Sequence, residues 1–308
     1  MLTSPALRPS PALDALASLG FASHVDALRA RVDERLLAWI PAPQPDTDTV
    51  SCAMHACALA PGKRLRPLLL LLAAEDLGVE AGDVIDAACA LEMVHAASLA
   101  LDDLPCMDDA QLRRGRPALH VLHGDDVAIL AAVALLGQAF AAAGSSSLAP
   151  AVRVRCMTVL AEAIGPRGLV GGQCRDLRDG RVQRSAESIV QTNQLKTGSL
   201  FTAAVEMAAL AAHADVATRA ALTAFATELG QAFQLADDIA DACGSTVVLG
   251  KDVGRDAGKS TLVALLGLKA ARECLAGHME RAQASLQLAL RPDASLARYV
   301  ARLIPTGA

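Results

Sequence analysis

Two groups of aspartates mark the places where this chain could do chemistry. The first group puts four carboxylates within eight residues, at Asp102, Asp103, Asp108 and Asp109. The second follows more than a hundred residues later and consists of Asp237, Asp238 and Asp241. At the helical angle of about 100° per residue, Asp102 and Asp109 share a face, and Asp237 and Asp241 lie one turn apart. Both groups interrupt stretches that are otherwise apolar.

Carboxylates packed this closely repel one another unless a cation lies among them. Oxygen ligands with no neighbouring histidine or cysteine suit Mg²⁺, which keeps part of its water shell and is often shared with substrate phosphates. An aspartate-rich helix end can also be plain solvated surface, so neither group decides the matter alone. The D-x-D-x-D-G pattern of a calcium loop is absent from both groups. Together they favour magnesium-assisted chemistry on a phosphate ester.

Basic residues that could hold phosphate occur in several short clusters beside glycine or proline. They are Lys63, Arg64, Arg66, Arg113, Arg114, Arg116, Lys196, Lys251 and Lys259. Arginine forks match pairs of phosphate oxygens, and lysine supplies a point charge. Any one of them could be an ordinary solvated side chain, but so many clusters in a chain of net charge −5 predict a multiply charged ligand. Residues 250–261 are not a nucleotide-binding P-loop, because no buried strand precedes them.

The composition narrows both the fold and the partners. Hydrophobic residues make up 53% of the chain but aromatic residues only 2%, so Ala, Leu and Val must build a core of closely packed helices. The acidic balance and the scarcity of aromatic rings argue against nucleic acid as a partner. The eight cysteines are scattered without metal-site spacing, which predicts reduced thiols. No signal peptide is evident, which predicts a cytoplasmic location.

These elements predict one all-α domain over residues 1–308, with residues 1–13 poorly ordered. The run 127–144 is expected to be a buried core helix and not a membrane span. No stretch alternates as a strand does, and residues 244–258 are expected to be a polar loop. The predicted helices cover 14–39, 50–60, 65–78, 82–103, 109–115, 126–143, 150–164, 167–177, 185–211, 215–242, 260–288 and 293–303.

Taken together, the motifs resemble those of the trans-isoprenyl diphosphate synthases, or polyprenyl synthetases, from about residue 61 to residue 266. The matching segments are PGKRLRP, DDLPCMDDAQLRRGRP, GGQCRDL, KTGSLF, FQLADDIAD and GKSTL, in the order of the family. Their detail is similar to that of the bacterial carotenoid-pathway geranylgeranyl diphosphate synthases. The resemblance implies a homodimer, a helical bundle around a central cavity, and a transferase that joins isopentenyl diphosphate to an allylic diphosphate.

The resemblance also assigns a role to each matching carboxylate. Asp102 and Asp108, supported by Asp103 and Asp109, would hold two Mg²⁺ ions. A third ion would be held by Asp237, with support from Asp238 and Asp241. Mn²⁺ is expected to substitute. These ions would clamp the allylic diphosphate as it leaves.

The other matching residues would bind the two substrates. The residues implied for the allylic diphosphate are Arg113, Lys196, Lys251 and Lys259. Those implied for isopentenyl diphosphate are Lys63, Arg66, His95 and Arg114. Thr197 and Gln234 would steady the allylic cation, and Phe233 would wall the cavity. Gln173 and Asp176 fit hydrogen bonding between buried helices at least as well as substrate contact, so we assign them no catalytic role.

Product length is the finest prediction that the resemblance allows. In the family, a bulky aromatic residue five or four positions before the first Asp stops growth at fifteen carbons, and those positions hold Ala97 and Ser98 here. Small side chains leave room for another isoprene unit, which predicts geranylgeranyl diphosphate, with farnesyl diphosphate as the alternative. Met93 and Val94, one turn further along, could form the lower stop. The allylic primer stays open among dimethylallyl, geranyl and farnesyl diphosphate.

Two rival functions share part of this pattern. A terpene cyclase also ionises an allylic diphosphate, but it needs no second diphosphate site and usually has an aromatic pocket. A non-catalytic subunit of a synthase should have lost carboxylates from one of the two groups, and here both groups are intact.

Overall fold

The computed structural model of the protein describes residues 11–43, 48–179, 182–243 and 260–304. The predicted loop at residues 244–258, together with Lys251 and Lys259, lies outside the described residues. The elements are α1 (Pro11–Trp39), α2 (Thr49–Ala58), α3 (Leu65–Asp76), α4 (Ala81–Asp102), β1 (Leu112–Arg113), β2 (Arg116–Pro117), α5 (Leu119–His123), α6 (Asp125–Ser145), α7 (Pro150–Ile164), α8 (Leu169–Asp179), α9 (Ala186–Asn193), a π-helical turn (Gln194–Gly198), α10 (Ser199–Ala211), α11 (Val216–Ala242), α12 (Leu262–Leu266), α13 (Leu268–Ala289) and α14 (Ser295–Leu303).

The predicted all-α class is confirmed, and small side chains account for the close packing of the helices. Helix α10 packs against α3, α7 and α11, while α4 packs against α3 and α6. The run Leu68–Leu72 in α3 is fully buried, as are Ala87, Ala88 and Cys89 in α4. Alanine on helix surfaces lets neighbouring backbones approach, so the core fills without aromatic rings. One hydrophobic cluster runs from Phe21 to Ile304.

The helix predicted at 109–115 is wrong, and so is the expectation that this stretch contains no strand. Strands β1 and β2 pair antiparallel, with Leu112 opposite Pro117 and Arg113 opposite Arg116. The two residues between them, Arg114 and Gly115, have φ of 54° and 74°. Two consecutive positive φ values are typical of a tight hairpin turn and cannot occur inside a helix. The hairpin turns the Arg113 side chain back towards Asp103 at the end of α4, and the Arg114 side chain towards the Pro61 carbonyl.

Three predicted helices end or break earlier than the pattern indicated. The segment 185–211 is interrupted by the π-helical turn, and 260–288 is broken at Gly267, where φ is 80°. Helix α4 ends at Asp102, and Asp109 has a positive φ of 49°. The helical argument that put Asp102 and Asp109 on one face is therefore wrong, because no helix connects them.

Two described helices, Ala81–Asp102 and Asp125–Ser145, are long and apolar enough to pass a length-and-composition test for a membrane span. The first is mostly buried in the core, but α6 buries only one face, against α4 and α2. The expectation that residues 127–144 form a buried core helix therefore holds for one face only. The exposed apolar side chains of this region are Val121, Leu122, Ile129, Leu130, Val133 and Val154.

Candidate active site

The first aspartate group lies in a tight turn that brings its members back towards one another. Asp102 is the last residue of α4, and the Asp108 N–H donates to the Asp102 carbonyl over 2.9 Å. The Ala110 N–H in turn donates to the Asp103 carbonyl over 3.0 Å. The chain folds back because Pro105 has no N–H with which to continue the helix. This turn, and no helical face, holds Asp108 beside Asp102.

Burial and the repulsion of neighbouring carboxylates destabilise the ionised form of Asp102. Burial raises the pKa of Asp102 to about 6, Lys196 and Arg113 lower it, and Asp108 and Asp103 raise it further. Lys196 therefore lies close enough to Asp102 to interact with it electrostatically. A carboxylate with a raised pKa beside further carboxylates attracts an added cation.

Asp103 faces a different partner from Asp102. Its side chain is only 3% exposed, and the Arg113 Nε donates to Oδ1 and Oδ2 over 3.0 and 3.1 Å. The Arg113 Nη2 also donates to Oδ1. Both oxygens of Asp103 are thus occupied by Arg113, which the β1–β2 hairpin presents. The implied support of a metal ion by Asp103 stays a prediction.

The second aspartate group is tied to the π-helical turn by a chain of hydrogen bonds. The Thr197 Oγ1 donates to Gln234 Oε1 over 2.9 Å, and the Gln234 Nε2 donates to Asp238 Oδ1 over 2.9 Å. Asp238 is buried, whereas Asp237 and Asp241 are partly exposed along α11. Thr197 directly follows Lys196. These hydrogen bonds therefore join the second aspartate group to the lysine that lies beside the first aspartate group.

Lys196 is held by both close backbone packing and charge. A Cβ at Gly172 in α8 would lie 2.2 Å from the Lys196 backbone nitrogen, and one at Gly230 would lie 2.9 Å from the Cα of Gly198. The Lys196 Nζ donates to Asp176 Oδ2 over 2.7 Å. Burial alone would lower the pKa of Lys196, but Asp176, Asp102 and Asp108 raise it overall. Lys196 is therefore a firmly charged group beside the first aspartate group. π-Helical turns frequently occur at functional sites.

A second cationic cluster forms where α3, α4 and the hairpin meet. Burial lowers the pKa of Arg66 to about 10, with Glu92 opposing and Arg114 adding to the shift. Burial also lowers the pKa of Arg114. The pKa of His95 is lowered well below its usual range, first by burial and then by Arg66 and Arg114. The Arg66 guanidinium carbon lies 5.2 Å from the centre of the Phe201 ring. The close grouping of these positively charged side chains makes a site for an anion.

Lys63 adjoins a backbone segment that contacts the second cluster. It is exposed and follows Gly62, where a Cβ would lie 2.7 Å from the Arg114 Nη1. The same Nη1 donates to the Pro61 carbonyl over 3.3 Å. Glycine at position 62 thus lets the backbone beside Lys63 approach Arg114. Of the four residues predicted for isopentenyl diphosphate, the structure brings together Arg66, His95 and Arg114, whereas Lys63 lines a separate pocket with Phe21 and Tyr299.

The buried ion pairs of Arg64 support this cluster and were missed by sequence reasoning. Arg64 takes the left-handed conformation at φ 48° and is 4% exposed. Its Nη1 donates to Glu92 Oε1 over 2.8 Å and its Nε to Asp33 Oδ1 over 2.6 Å. Nothing in the sequence distinguishes Arg64 from its basic neighbours, because Asp33 and Glu92 are distant in the chain. The ion pair with Arg64 partly neutralises Glu92, the carboxylate whose charge raises the pKa of Arg66 and Arg114.

A polyprenyl synthetase family model matches residues 48–289. This chain belongs to the polyprenyl synthetase family. The family expectation drawn from its motifs is confirmed.

Individual members of the polyprenyl synthetase family agree over most of the chain. Geranylgeranyl diphosphate synthase of Pantoea ananas is 51% identical over 267 residues, which cover 86% of this chain and 87% of the relative. The synthase of the same name from Pseudescherichia vulneris is 44% identical over 90% of each chain. The solved geranyltransferase of Helicobacter pylori, complexed with magnesium and isoprenyl diphosphate, has a TM-score of 0.82 and 26% identity, covering 97% of each chain. The FPP/GFPP synthase of Zymomonas mobilis has a TM-score of 0.83 and 32% identity, covering 93% of this chain and 99% of that chain.

The donor set of this polyprenyl synthetase fits Mg²⁺. The described residues contain no ready-made group of three His, Cys, Asp or Glu side chains that could hold a metal ion unaided. Mg²⁺ does not need one, because it is usually held by one or two carboxylates together with substrate phosphates and water. The raised pKa of Asp102 beside Asp108 marks the place where a divalent cation would offset repulsion. The fit therefore depends on substrate phosphate to complete the coordination.

The two chain-length positions differ in accessibility. Ala97 is fully buried within α4, whereas Ser98 is partly exposed and its Oγ donates to the His95 carbonyl over 2.9 Å. Met93 and Val94 are also buried. Of the two positions, Ser98 is the more accessible. The role of either position in product length stays a prediction.

A cavity of about 660 Å³ lies outside this constellation. It runs along the face of α10 that carries Ser199, Thr202 and Glu206, between α7 and α11. None of the predicted site residues lines it. We locate the active site by the clustered charges because they match the chemistry, whereas this groove opens on a different face of α10.

Proposed function

We propose that this trans-prenyltransferase condenses isopentenyl diphosphate head to tail with an allylic diphosphate and that its main product is geranylgeranyl diphosphate. The observation that carries the proposal is the presence of two separate anion sites. One is the aspartate and Lys196 site, and the other is the cluster of Arg66, His95 and Arg114. Two diphosphates can bind there at once. The two geranylgeranyl diphosphate synthases similar to this chain favour the C20 product over farnesyl diphosphate.

The first half of the reaction breaks the allylic carbon–oxygen bond, and the electron pair leaves with diphosphate. Lys196 and Arg113 would stabilise the departing charge, since both are cationic and border Asp102. Thr197 and Gln234, joined by their hydrogen bond, would direct oxygen dipoles towards the allylic cation. Asp102, Asp108 and Asp237 would hold Mg²⁺, about three ions per active site, with Mn²⁺ as a substitute. When bound, Mg²⁺ supplies further neutralisation of the leaving oxygens.

The second half forms the new carbon–carbon bond. Lys63, Arg66, His95 and Arg114 would hold isopentenyl diphosphate with its double bond facing the allylic cation. The double bond attacks, the positive charge moves to the substituted carbon, and a proton leaves the adjacent carbon to restore a double bond. The released diphosphate would accept that proton. Hydrophobic burial of the growing chain along α4 excludes water, which would otherwise quench the cation.

Incubation with isopentenyl diphosphate, Mg²⁺ and each of dimethylallyl, geranyl and farnesyl diphosphate tests the function. Reverse-phase chromatography should detect a C20 product, and removal of divalent metal with EDTA should abolish it. A hydrocarbon formed without consumption of isopentenyl diphosphate would indicate a terpene cyclase. Absence of product with every primer would favour a non-catalytic subunit. Asp102→Ala and Asp237→Ala are each expected to lower turnover by at least about a hundredfold, because each removes a metal ligand.

We also propose a homodimer built on the exposed apolar side of α5, α6 and α7. Ile129, Leu130 and Val133 are all more than 40% exposed on one helix. An apolar patch of this kind marks a protein interface more often than free surface. Light scattering should give twice the monomer mass, and the double variant Leu130→Glu/Val133→Glu should shift it to the monomer. A wild-type monomer at micromolar concentration would contradict the proposal.

Two coarser expectations complete the proposed function. The hydrophobic cluster that joins Phe21 to Ile304 supports a single domain, so limited proteolysis should yield no separately stable half. The bacterial relatives support a cytoplasmic enzyme. Cell fractionation should place the activity in the supernatant of the lysate, and recovery with the membranes would contradict this.

A further inference from the structure

Arg184 is a buried arginine that belongs to none of the recognised motifs. It lies in the short connection between α8 and α9 and is 9% exposed. Its Nη1 donates to the Thr192 Oγ1 over 3.2 Å, and its Nη2 donates to the Ser260 carbonyl over 3.1 Å. The same Nη2 lies 3.7 Å from Asp176 Oδ1. A buried guanidinium with three protein partners is held in one orientation.

The carboxylate of Asp176 is shared between two cations. Lys196 Nζ occupies Oδ2 at 2.7 Å, while Arg184 faces Oδ1. Asp176 therefore divides its charge between two cations and neutralises neither of them fully. Arg184 is the more buried of the two cations, with its side chain 6% exposed against 25% for Lys196. Lys196 is thus the more accessible of the two cations, and it interacts electrostatically with Asp102 and Asp108.

We propose that Arg184 is a positioning residue that acts through Asp176 to keep Lys196 oriented towards the allylic diphosphate. This inference rests on the proposed function, because it concerns the same site. Without Arg184, Asp176 would neutralise Lys196 alone and draw the ammonium away from the substrate. Arg184 itself does not reach the substrate, because both of its terminal nitrogens are engaged within the protein.

A second contact makes the orientation of Arg184 firmer. The Ser260 Oγ donates to the Val182 carbonyl over 2.6 Å, so Ser260 is bonded both to Arg184 and to the connection that carries it. Ser260 immediately precedes Thr261, which caps α12. Arg184 thus joins α8, α9 and the start of α12 around Asp176. Long-range contacts of this kind hold a side chain more rigidly than a single surface ion pair does.

A double-mutant cycle between Arg184 and Asp176 tests the inference. Arg184→Gln is expected to raise the KM for the allylic diphosphate about tenfold, through loss of a charge-assisted contact, and to change the KM for isopentenyl diphosphate less than about twofold. In an Asp176→Asn background, the same substitution is expected to raise the KM for the allylic diphosphate by less than about a further twofold. The reason is that the carboxylate through which Arg184 acts on Lys196 is already absent. Arg184→Lys, which keeps the charge, is expected to restore most of the allylic KM. Arg155→Gln on α7, an exposed arginine, is the matched control and should leave both KM values unchanged.

Three results would overturn the inference. They are equal effects of Arg184→Gln in both backgrounds, equal rises in both KM values, and an unchanged allylic KM in a folded variant. Thermal unfolding of every variant identifies a merely structural effect, and Arg184→Lys keeps the test valid if Arg184→Gln does not fold. The Kd for inorganic diphosphate with Mg²⁺, measured by calorimetry, provides the same cycle without turnover. A wild-type enzyme that bound diphosphate with the expected coupling but made no product would count against the proposed function and not against Arg184.

Discussion

The Arg113 guanidinium holds both carboxylate oxygens of Asp103, although Asp103 adjoins Asp102 in a motif where the two look equivalent. The Nε of Arg113 lies 3.0 and 3.1 Å from the two oxygens. Asp102 instead lies among Lys196, Asp108 and the end of α4, and burial raises its pKa to about 6. Asp103 is thus part of an ion pair that fixes the hairpin, whereas Asp102 is a carboxylate in need of a cation.

Stability should therefore separate the two aspartates. Asp103→Ala should lower the free energy of unfolding by about 2 kcal/mol, because it leaves a largely buried arginine without its partner. Asp102→Ala should leave the unfolding free energy of the metal-free protein unchanged or higher, because it removes an unfavourable buried charge. Urea denaturation without metal measures both. Equal destabilisation by the two substitutions would contradict this division.

The close approach of Gly172 to Lys196 predicts a large effect from a single methyl group. Gly172→Ala would place a Cβ 2.2 Å from the Lys196 backbone nitrogen, so α8 or the π-helical turn must move. We expect a loss of at least about 2 kcal/mol in unfolding free energy and a turnover lower by more than about tenfold. Gly20→Ala in α1 is the control, since nothing lies within 4 Å of its added Cβ. The control substitution should leave the unfolding free energy unchanged or slightly higher. If Gly172→Ala changed neither stability nor turnover, the packing of α8 against the π-helical turn would be looser than the structure indicates.

A lower pH should reduce the free energy of unfolding of this protein, because of His95. Its pKa is lowered in the folded state by burial and by Arg66 and Arg114, so below about pH 6.5 the unfolded chain binds a proton that the folded chain does not. Stability should consequently fall as the pH drops, by about 1 kcal/mol from this group between pH 7 and 5.5. The variant His95→Gln should lack that part of the loss. Unfolding of both proteins at the two pH values measures the difference, and parallel losses would mean that His95 is protonated in the folded protein.

Product length should respond to Ser98 more cleanly than to Ala97. Ser98→Phe adds a ring at a partly exposed position and should shift the main product from C20 towards C15. Ala97→Tyr should shift the product in the same direction, but it inserts a ring at a fully buried position, so we expect it also to cost about 1–3 kcal/mol of stability. Reverse-phase analysis and thermal unfolding report the two effects. An unchanged product profile in both variants would remove these positions from control of chain length.

Local sequence signals located most helices but not the breaks within them. Apolar patterns and the breaks that flank them predicted α4, α6, α7 and α11 nearly to the residue. The hairpin at Leu112–Pro117 was mistaken for helix, because Arg114 adopts a positive φ that its residue type does not signal. The π-helical turn was also missed; its close neighbours Gly172 and Gly230 are distant from it in the chain, so no local signal marks it.

The sequence by itself determined the fold class of this protein and the chemical groups that its site can use. It specified the helical class, the two aspartate groups, the basic clusters and the membership of a family, because residue type and spacing carry each of these. Only the tertiary structure decided which charged side chains form ion pairs with one another. It paired Asp103 with Arg113, Glu92 with Arg64, and Asp176 with Lys196 and Arg184. The physical reason is that an ion pair depends on distance and burial in space, and chemically identical carboxylates differ in neither until the chain folds.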